Sequence, residues 1–197
     1  MKFNRLLSFF MGLGLCACSG NMQIKSPDGE ISVKVEIKEN GIAQYQVNAY
    51  GQDILDTSEL GLIAQETNLH NGFKVRKVRR DKVDQKWAQP WGENKQMHDK
   101  HNEMAVTMAN AENIELTLRF RAFDDGVGYR YEYDATAAGV DSLTIIGDKT
   151  SFNFAQDGTC WSIGSYFSGY ELPYREQSIS ATENANTPFT FQMGDVY

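Results

Sequence analysis

The segment from residue 114 to 133 limits the choice of fold most sharply. Ile114, Leu116, Leu118, Phe120 and Ala122 alternate with Glu115, Thr117, Arg119 and Arg121. The chain then passes Phe123-Asp124-Asp125-Gly126, after which Val127, Tyr129, Tyr131 and Tyr133 alternate with Gly128, Arg130 and Glu132. A period of two sends successive side chains to opposite faces of a strand, so each run has one apolar and one polar face. Two such runs around Asp-Asp-Gly predict an antiparallel hairpin. Its polar face carries Arg119, Arg121, Arg130 and Glu132, which can pair across strands. Its apolar face has to be covered by a second layer.

That layer is legible upstream. Ile31, Val33, Val35 and Ile37 alternate with Ser32, Lys34, Glu36 and Lys38. Glu39-Asn40-Gly41 turns the chain, and Tyr45 and Val47 continue the pattern. Asn and Gly both tolerate positive φ, which such a turn needs. Weaker strand patterns fall at 60–66, 72–80, 83–89, 102–109, 142–147, 150–155 and 188–192. No amphipathic helical run of a dozen residues follows the N-terminal segment. The expectation is an all-β fold, a sandwich of antiparallel sheets. Pro188 to Tyr197 reads as a strand, a turn and the start of another strand, so the sandwich is expected to be incomplete at its C-terminus.

Lys2 and Arg5 precede a largely apolar stretch, Leu6–Leu15, and then Leu15-Cys16-Ala17-Cys18-Ser19. A basic start, a short apolar centre and small residues before a cut mark a secretory signal peptide. Leu-x-Ala-Cys also looks like a bacterial lipoprotein box, with Cys18 as the lipidated residue. An ordinary cut nearby, leaving Cys18 a plain thiol, is the alternative. The expected organisation is a signal peptide over 1–17, a short tether over 18–25 and one domain over 26–197. No acidic residue occurs from Ser19 to Ser26, which favours a periplasmic, membrane-anchored lipoprotein of a Gram-negative bacterium over export to the cell surface. The chain has three cysteines. With Cys16 cleaved off and Cys18 acylated, only Cys160 remains, and no intrachain disulfide can form. Cys160 is expected to be a small buried residue rather than a nucleophile, since no histidine lies near it in sequence.

A net charge of −7 argues against an electrostatic grip on nucleic acid. His98 and His101 have a chelating spacing only on a helix. On a strand, residues three apart face opposite sides. Asp124-Asp125 before Gly126 is turn chemistry before it is a carboxylate pair. No Gly-x-Ser-x-Gly, phosphate-loop, dinucleotide or zinc motif occurs. Two aromatic segments are richer. One is Lys86-Trp87-Ala88-Gln89-Pro90-Trp91-Gly92-Glu93. The other gathers Trp161, Tyr166, Phe167, Tyr170 and Tyr174 around Glu171. Aromatic faces beside amides and carboxylates suit sugar rings, and core filling explains them equally well.

Several segments add up in order and spacing: Ser26-Pro27-Asp28-Gly29, Ser58-Glu59-Leu60-Gly61-Leu62, Gln89-Pro90-Trp91-Gly92-Glu93, His101-Asn102-Glu103-Met104, the arginine-rich hairpin from Arg119 to Glu132, and Asn186-Thr187-Pro188-Phe189. Together they resemble the N-terminal β-super-sandwich domain of glycoside hydrolase family 97, which includes α-glucosidases and α-galactosidases. The resemblance implies a domain truncated before the β/α barrel that carries the family's catalytic carboxylates, so a chain inactive alone. It also implies that Glu171, in Gly169-Tyr170-Glu171-Leu172-Pro173-Tyr174, lends one ligand to a calcium ion completed by the barrel. By the same resemblance Thr182, Glu183 and Asn184 contact substrate. The implied partners are an α-linked oligosaccharide, the barrel of the full-length parent and, through Cys18, a membrane. A free-standing carbohydrate-binding lipoprotein and a purely structural lipoprotein are the other two readings.

Overall fold

The computed structural model describes residues 21–134, 139, 142–166, 168–169 and 171–196. Cys18 and the expected signal peptide lie outside the described residues. Strands β1 (Gln23–Lys25), β2 (Ile31–Ile37), β3 (Ala43–Ala49) and β4 (Gln52–Leu60) form one antiparallel sheet in chain order. Pairing begins at Gln23, inside the stretch expected to be a tether, because Ile24 is buried in the core. Ile37 pairs with Ala43 across the expected Asn-Gly turn. Gly41 there has φ +79, and a Cβ on it would stand 2.1 Å from the Phe73 amide nitrogen. Both the backbone angle and the close approach therefore require glycine.

After the short strands β5 (Leu62–Ala64) and β6 (Asn68–Leu69) come β7 (Lys74–Ala88), β8 (Gln96–Ala109), β9 (Glu115–Phe123) and β10 (Gly126–Glu132). These four make the second sheet, in the order β10-β9-β8-β7. The predicted hairpin is β9–β10, with Phe123 paired to Gly126. The two sheets face each other over one core. Val33, Val35, Tyr45 and Leu60 come from the first, and Met104, Val106, Leu118 and Phe120 from the second. Leu116, Leu118, Phe120 and Ala122 are all buried, and the residues between them face outward, as the period of two requires. Each large side chain so buried stabilises the fold by about 1.5–3 kcal/mol.

The two strands expected at 72–80 and 83–89 are one continuous strand, and β8 starts at Gln96 rather than 102. The reason is local. β9 backs β8 only from Asn102 to Ala109. Beyond that point β7 and β8 continue as a two-stranded ribbon, mostly exposed on both faces, so no apolar alternation marks it.

A third sheet has the order β11-β5-β6, where β11 is Ile145–Asp148. Residues 149–155, expected as a strand, run beside β4. Lys149 donates to the Gly61 carbonyl, Ser151 to Glu59 and Ala155 to Ile54, while Asp56 donates to Asn153. Only Phe154 forms a regular bridge there, with Leu55. Last come β12 (Thr159–Ser162), β13 (Arg175–Ser178) and β14 (Thr190–Gln192), in the order β13-β12-β14. The first two were not expected, because a four-residue run is too short to show a period. A tight turn follows β14, in which Met193 and Val196 exchange backbone hydrogen bonds.

Candidate functional site

The small β12–β14 sheet positions every residue that the sequence put forward for calcium and substrate. Its centre is Cys160, fully buried, with its sulfur 3.2 Å from the Thr182 hydroxyl and 3.7 Å from the Ser178 carbonyl oxygen. This is the expected structural cysteine. Trp161 is half-buried and pairs with Glu176 on β13, to which its indole N–H donates at 3.1 Å. The loop 163–174 leaves the end of β12 at Ser162, and Arg175, paired with Ser162, receives it. The segment after the 3₁₀ turn Ile179–Ala181 runs back toward that loop. Ala185 bridges Gly164, and the Asn186 amide donates to the Ile163 carbonyl at 3.0 Å.

Glu171 is exposed in the 163–174 loop, with Tyr166, Leu172 and Tyr174 exposed around it. Phe167 and Tyr170 lie outside the described residues. Glu183 and Asn184 are exposed as well. Thr182 differs from them. Its hydroxyl accepts a hydrogen bond from the Gln177 amide at 2.9 Å and lies 3.3 Å from the Ser178 carbonyl, so it is committed to holding the turn. Among the described residues, no hydrogen bond or ion pair joins Glu171 to Thr182, Glu183 or Asn184. Nor do the described residues contain a group of three or more His, Cys, Asp or Glu side chains able to hold a metal ion. Glu171 could supply one oxygen-donor arm to a hard cation, but the chain shows no cage around it.

The other candidates resolve simply. His98 and His101 lie on opposite faces of β8. His98 is exposed and 2.8 Å from Asp84, while His101 is buried, 2.5 Å from Asp99, with its ring against Phe123. Asp124 accepts a hydrogen bond from the Asp28 amide at 2.8 Å, a tertiary contact that ties the β9–β10 turn to the distant turn at Ser26–Gly29. Sequence reasoning missed an apolar cleft of about 800 Å³ between β10 and the 149–155 segment. Tyr45, Tyr129, Phe152, Phe154 and Phe191 line it. The Tyr45 hydroxyl donates to the Ser151 carbonyl at 3.0 Å, and burial pushes its acidity far down. Asp125 and Asp195 at the rim are both solvent-exposed.

Residues 24–197 match the family described as Glycosyl-hydrolase 97 N-terminal. A glycoside hydrolase family 97 enzyme from Pseudoalteromonas sp. strain K8, solved in complex with panose and also with acarbose, superimposes with a TM-score of 0.79 at 30% identity over 88% of this chain. A "Probable retaining alpha-galactosidase" of Streptomyces bingchenggensis (strain BCW-1) is 25% identical over 126 residues, 64% of this chain. A β-arabinopyranosidase at 23% identity, with a TM-score of 0.67, shares the fold. The chain spans 27% of the Pseudoalteromonas enzyme and 19% of the Streptomyces protein. With an all-β antiparallel sandwich and the arginine-laced hairpin in place, the match along nearly the whole described chain settles its kinship: it belongs to the N-terminal domain family of glycoside hydrolase family 97.

Proposed function

We propose that the chain works as the non-catalytic N-terminal domain of a family 97 α-glycosidase, of the α-glucosidase or α-galactosidase type. In this reading it packs on a catalytic barrel supplied by the parent and turns the 163–174 loop toward the bound oligosaccharide. The family match over 24–197, on a chain spanning about a quarter of its solved relative, carries the proposal. Glu171 fits one ligand position of a calcium ion, and Glu183 and Asn184 are free to meet sugar hydroxyls. Calcium takes about six to eight oxygen ligands, so the remaining ligands would come from the barrel. When bound, the ion would polarise or clamp groups at the barrel mouth, and this chain's part is to present the Glu171 carboxylate.

Glycoside cleavage uses two carboxyl groups about 5–9.5 Å apart across the scissile bond. The purified chain is expected to give no turnover of aryl α-glucosides or α-galactosides with calcium present, and millimolar calcium should leave its melting temperature unchanged. Turnover that survives repurification and disappears in a carboxylate variant would overturn this reading. A calcium-dependent rise of several degrees would mark a self-sufficient binding module instead.

Localisation rests on Cys18. A lipid there would hold the domain at the periplasmic face of a membrane, since buried acyl chains supply the affinity. Cys18→Ser is expected to move the protein from the membrane fraction to the soluble periplasm. Retention of the variant in washed membranes would contradict lipidation at Cys18.

A further inference from the structure

We propose that the tip of the β7–β8 ribbon is a stacking platform for an α-linked oligosaccharide, with Trp91 as its principal surface and Trp87 beside it. The proposal rests on the carbohydrate reading above but assigns a site well away in sequence from the Glu171 loop.

The ribbon projects past the sheet, because β9 backs β8 only from Asn102 onward. No core lies behind residues 84–88 and 96–100, and a two-stranded ribbon is marginal in water by itself. Side-chain pairs stitch it on both faces. Asp84 and His98 meet at 2.8 Å on one face, and Gln85 donates to Asp99 at 3.1 Å on the other. At the tip, the Gln89 amide donates to the Lys95 carbonyl at 3.1 Å and its side chain to the Asn94 carbonyl at 3.4 Å. Gly92 completes the turn with φ +101. The tip is thus shaped in advance, which limits the ordering entropy of binding.

On this shaped tip Trp91 is 82% exposed and Trp87 is 45% exposed. Trp87 has a structural explanation, since it pairs with Met97 across the ribbon and sulfur–aromatic contact is favourable. Trp91 has none. It packs on no partner ring among the described residues and fills no core. An exposed indole on a turn that also carries Gln89, Glu93 and Asn94 suits a pyranose. Its C–H face stacks on the ring while its hydroxyls meet the polar rim. A net charge of −7 disfavours an anionic ligand. The solved relative's complexes with panose and acarbose make a neutral or weakly basic oligosaccharide the fitting class.

The test titrates the 197-residue chain with panose, read by tryptophan fluorescence and by saturation transfer to pyranose protons. Trp91→Ala is expected to weaken binding about tenfold, the loss of one stacking contact, and Trp91→Phe should restore part of it. The melting temperature should hold in both, since Trp91 is 82% exposed and stacks on no ring among the described residues. Tyr174→Ala, in the loop that the proposed function turns toward sugar, separates the two sites: the part of the panose response that Trp91→Ala removes should persist in it. Binding that Tyr174→Ala removes and Trp91→Ala spares overturns the tip while keeping the carbohydrate reading. No panose binding by the unaltered chain overturns the tip, with the hydrolase-domain reading still judged by its own assay.

Discussion

Phe120→Ala should cost about 3–5 kcal/mol of folding free energy, the range for deleting a buried phenylalanine. Phe120 is fully buried at the centre of β9. Its ring lies 6.1 Å from that of Tyr45 on the opposite sheet and 5.9 Å from that of Tyr129 on β10. The truncation therefore empties a place where three strands and both sheets meet, and rigid neighbours cannot collapse into it. Domains of this size are stable by about 5–15 kcal/mol, so the variant should lose roughly a fifth or more of its stability in urea unfolding. Phe152→Ala, with 54% of its surface exposed, should cost under about 1 kcal/mol. Equal midpoints for the two variants would mean that the register of β9 is shifted by one residue, which exchanges the core and solvent faces.

The contrast between those two phenylalanines shows what sequence could and could not tell. Around Phe120 the alternation is strict because one face is dry and the other wet, so strand, face and hairpin all follow from it. Phe152 lies in a segment that bonds to β4 through backbone groups and through the Ser151, Ser58 and Asn153 side chains, and such polar contacts leave no period of two in the apolar pattern. The distal ribbon fails for the opposite reason, since both its faces are wet. At the candidate site the limit is sharper. Cys160 was readable as buried from its small size and aromatic surroundings. That the Thr182 hydroxyl would turn inward to Gln177 and Ser178, while Glu183 and Asn184 face water, depends on a 3₁₀ turn of three residues that no period announces. The family resemblance supplied those positions as a group, and the fold separates one of them from the other two.

Glu103 is the residue whose importance the hairpin pattern concealed. It lies on β8, one strand over from the predicted hairpin, and only 7% of it is exposed. Arg119 Nη1 and Arg121 Nε both donate to it, the latter at 2.8 Å. Arg119 also forks onto Glu132, with bonds of 2.6 and 2.8 Å, and Arg130 joins the same carboxylate at 2.7 Å. Glu103→Ala should cost about 2–3 kcal/mol. That is below the roughly 3–5 kcal/mol for breaking a buried pair, because Arg121 keeps access to water. The ladder also contributes to the acid limit, beside Asp28, Glu66, Asp84, Asp99 and Asp157, whose carboxyls are lowered too. Hydrogen bonds from Arg119 hold the Glu132 carboxyl down at about 2, against an ordinary 4.5. Burial alone would raise Glu103, but Arg121 and Arg119 reverse this and lower it. A carboxyl whose pKa is depressed by folding stabilises the fold above its unfolded value and loses that contribution as pH falls toward its folded value. Stability should therefore decline from about pH 4.5 toward pH 2, and Glu103→Ala should flatten that decline because one of the ladder's two carboxylates no longer titrates. Urea midpoints measured at pH 7, 4 and 3 give both quantities. A variant that matches the parent at pH 7 and declines as steeply in acid would show that the arginines are solvated independently, and that the cross-strand ladder contributes nothing to holding β8, β9 and β10 together.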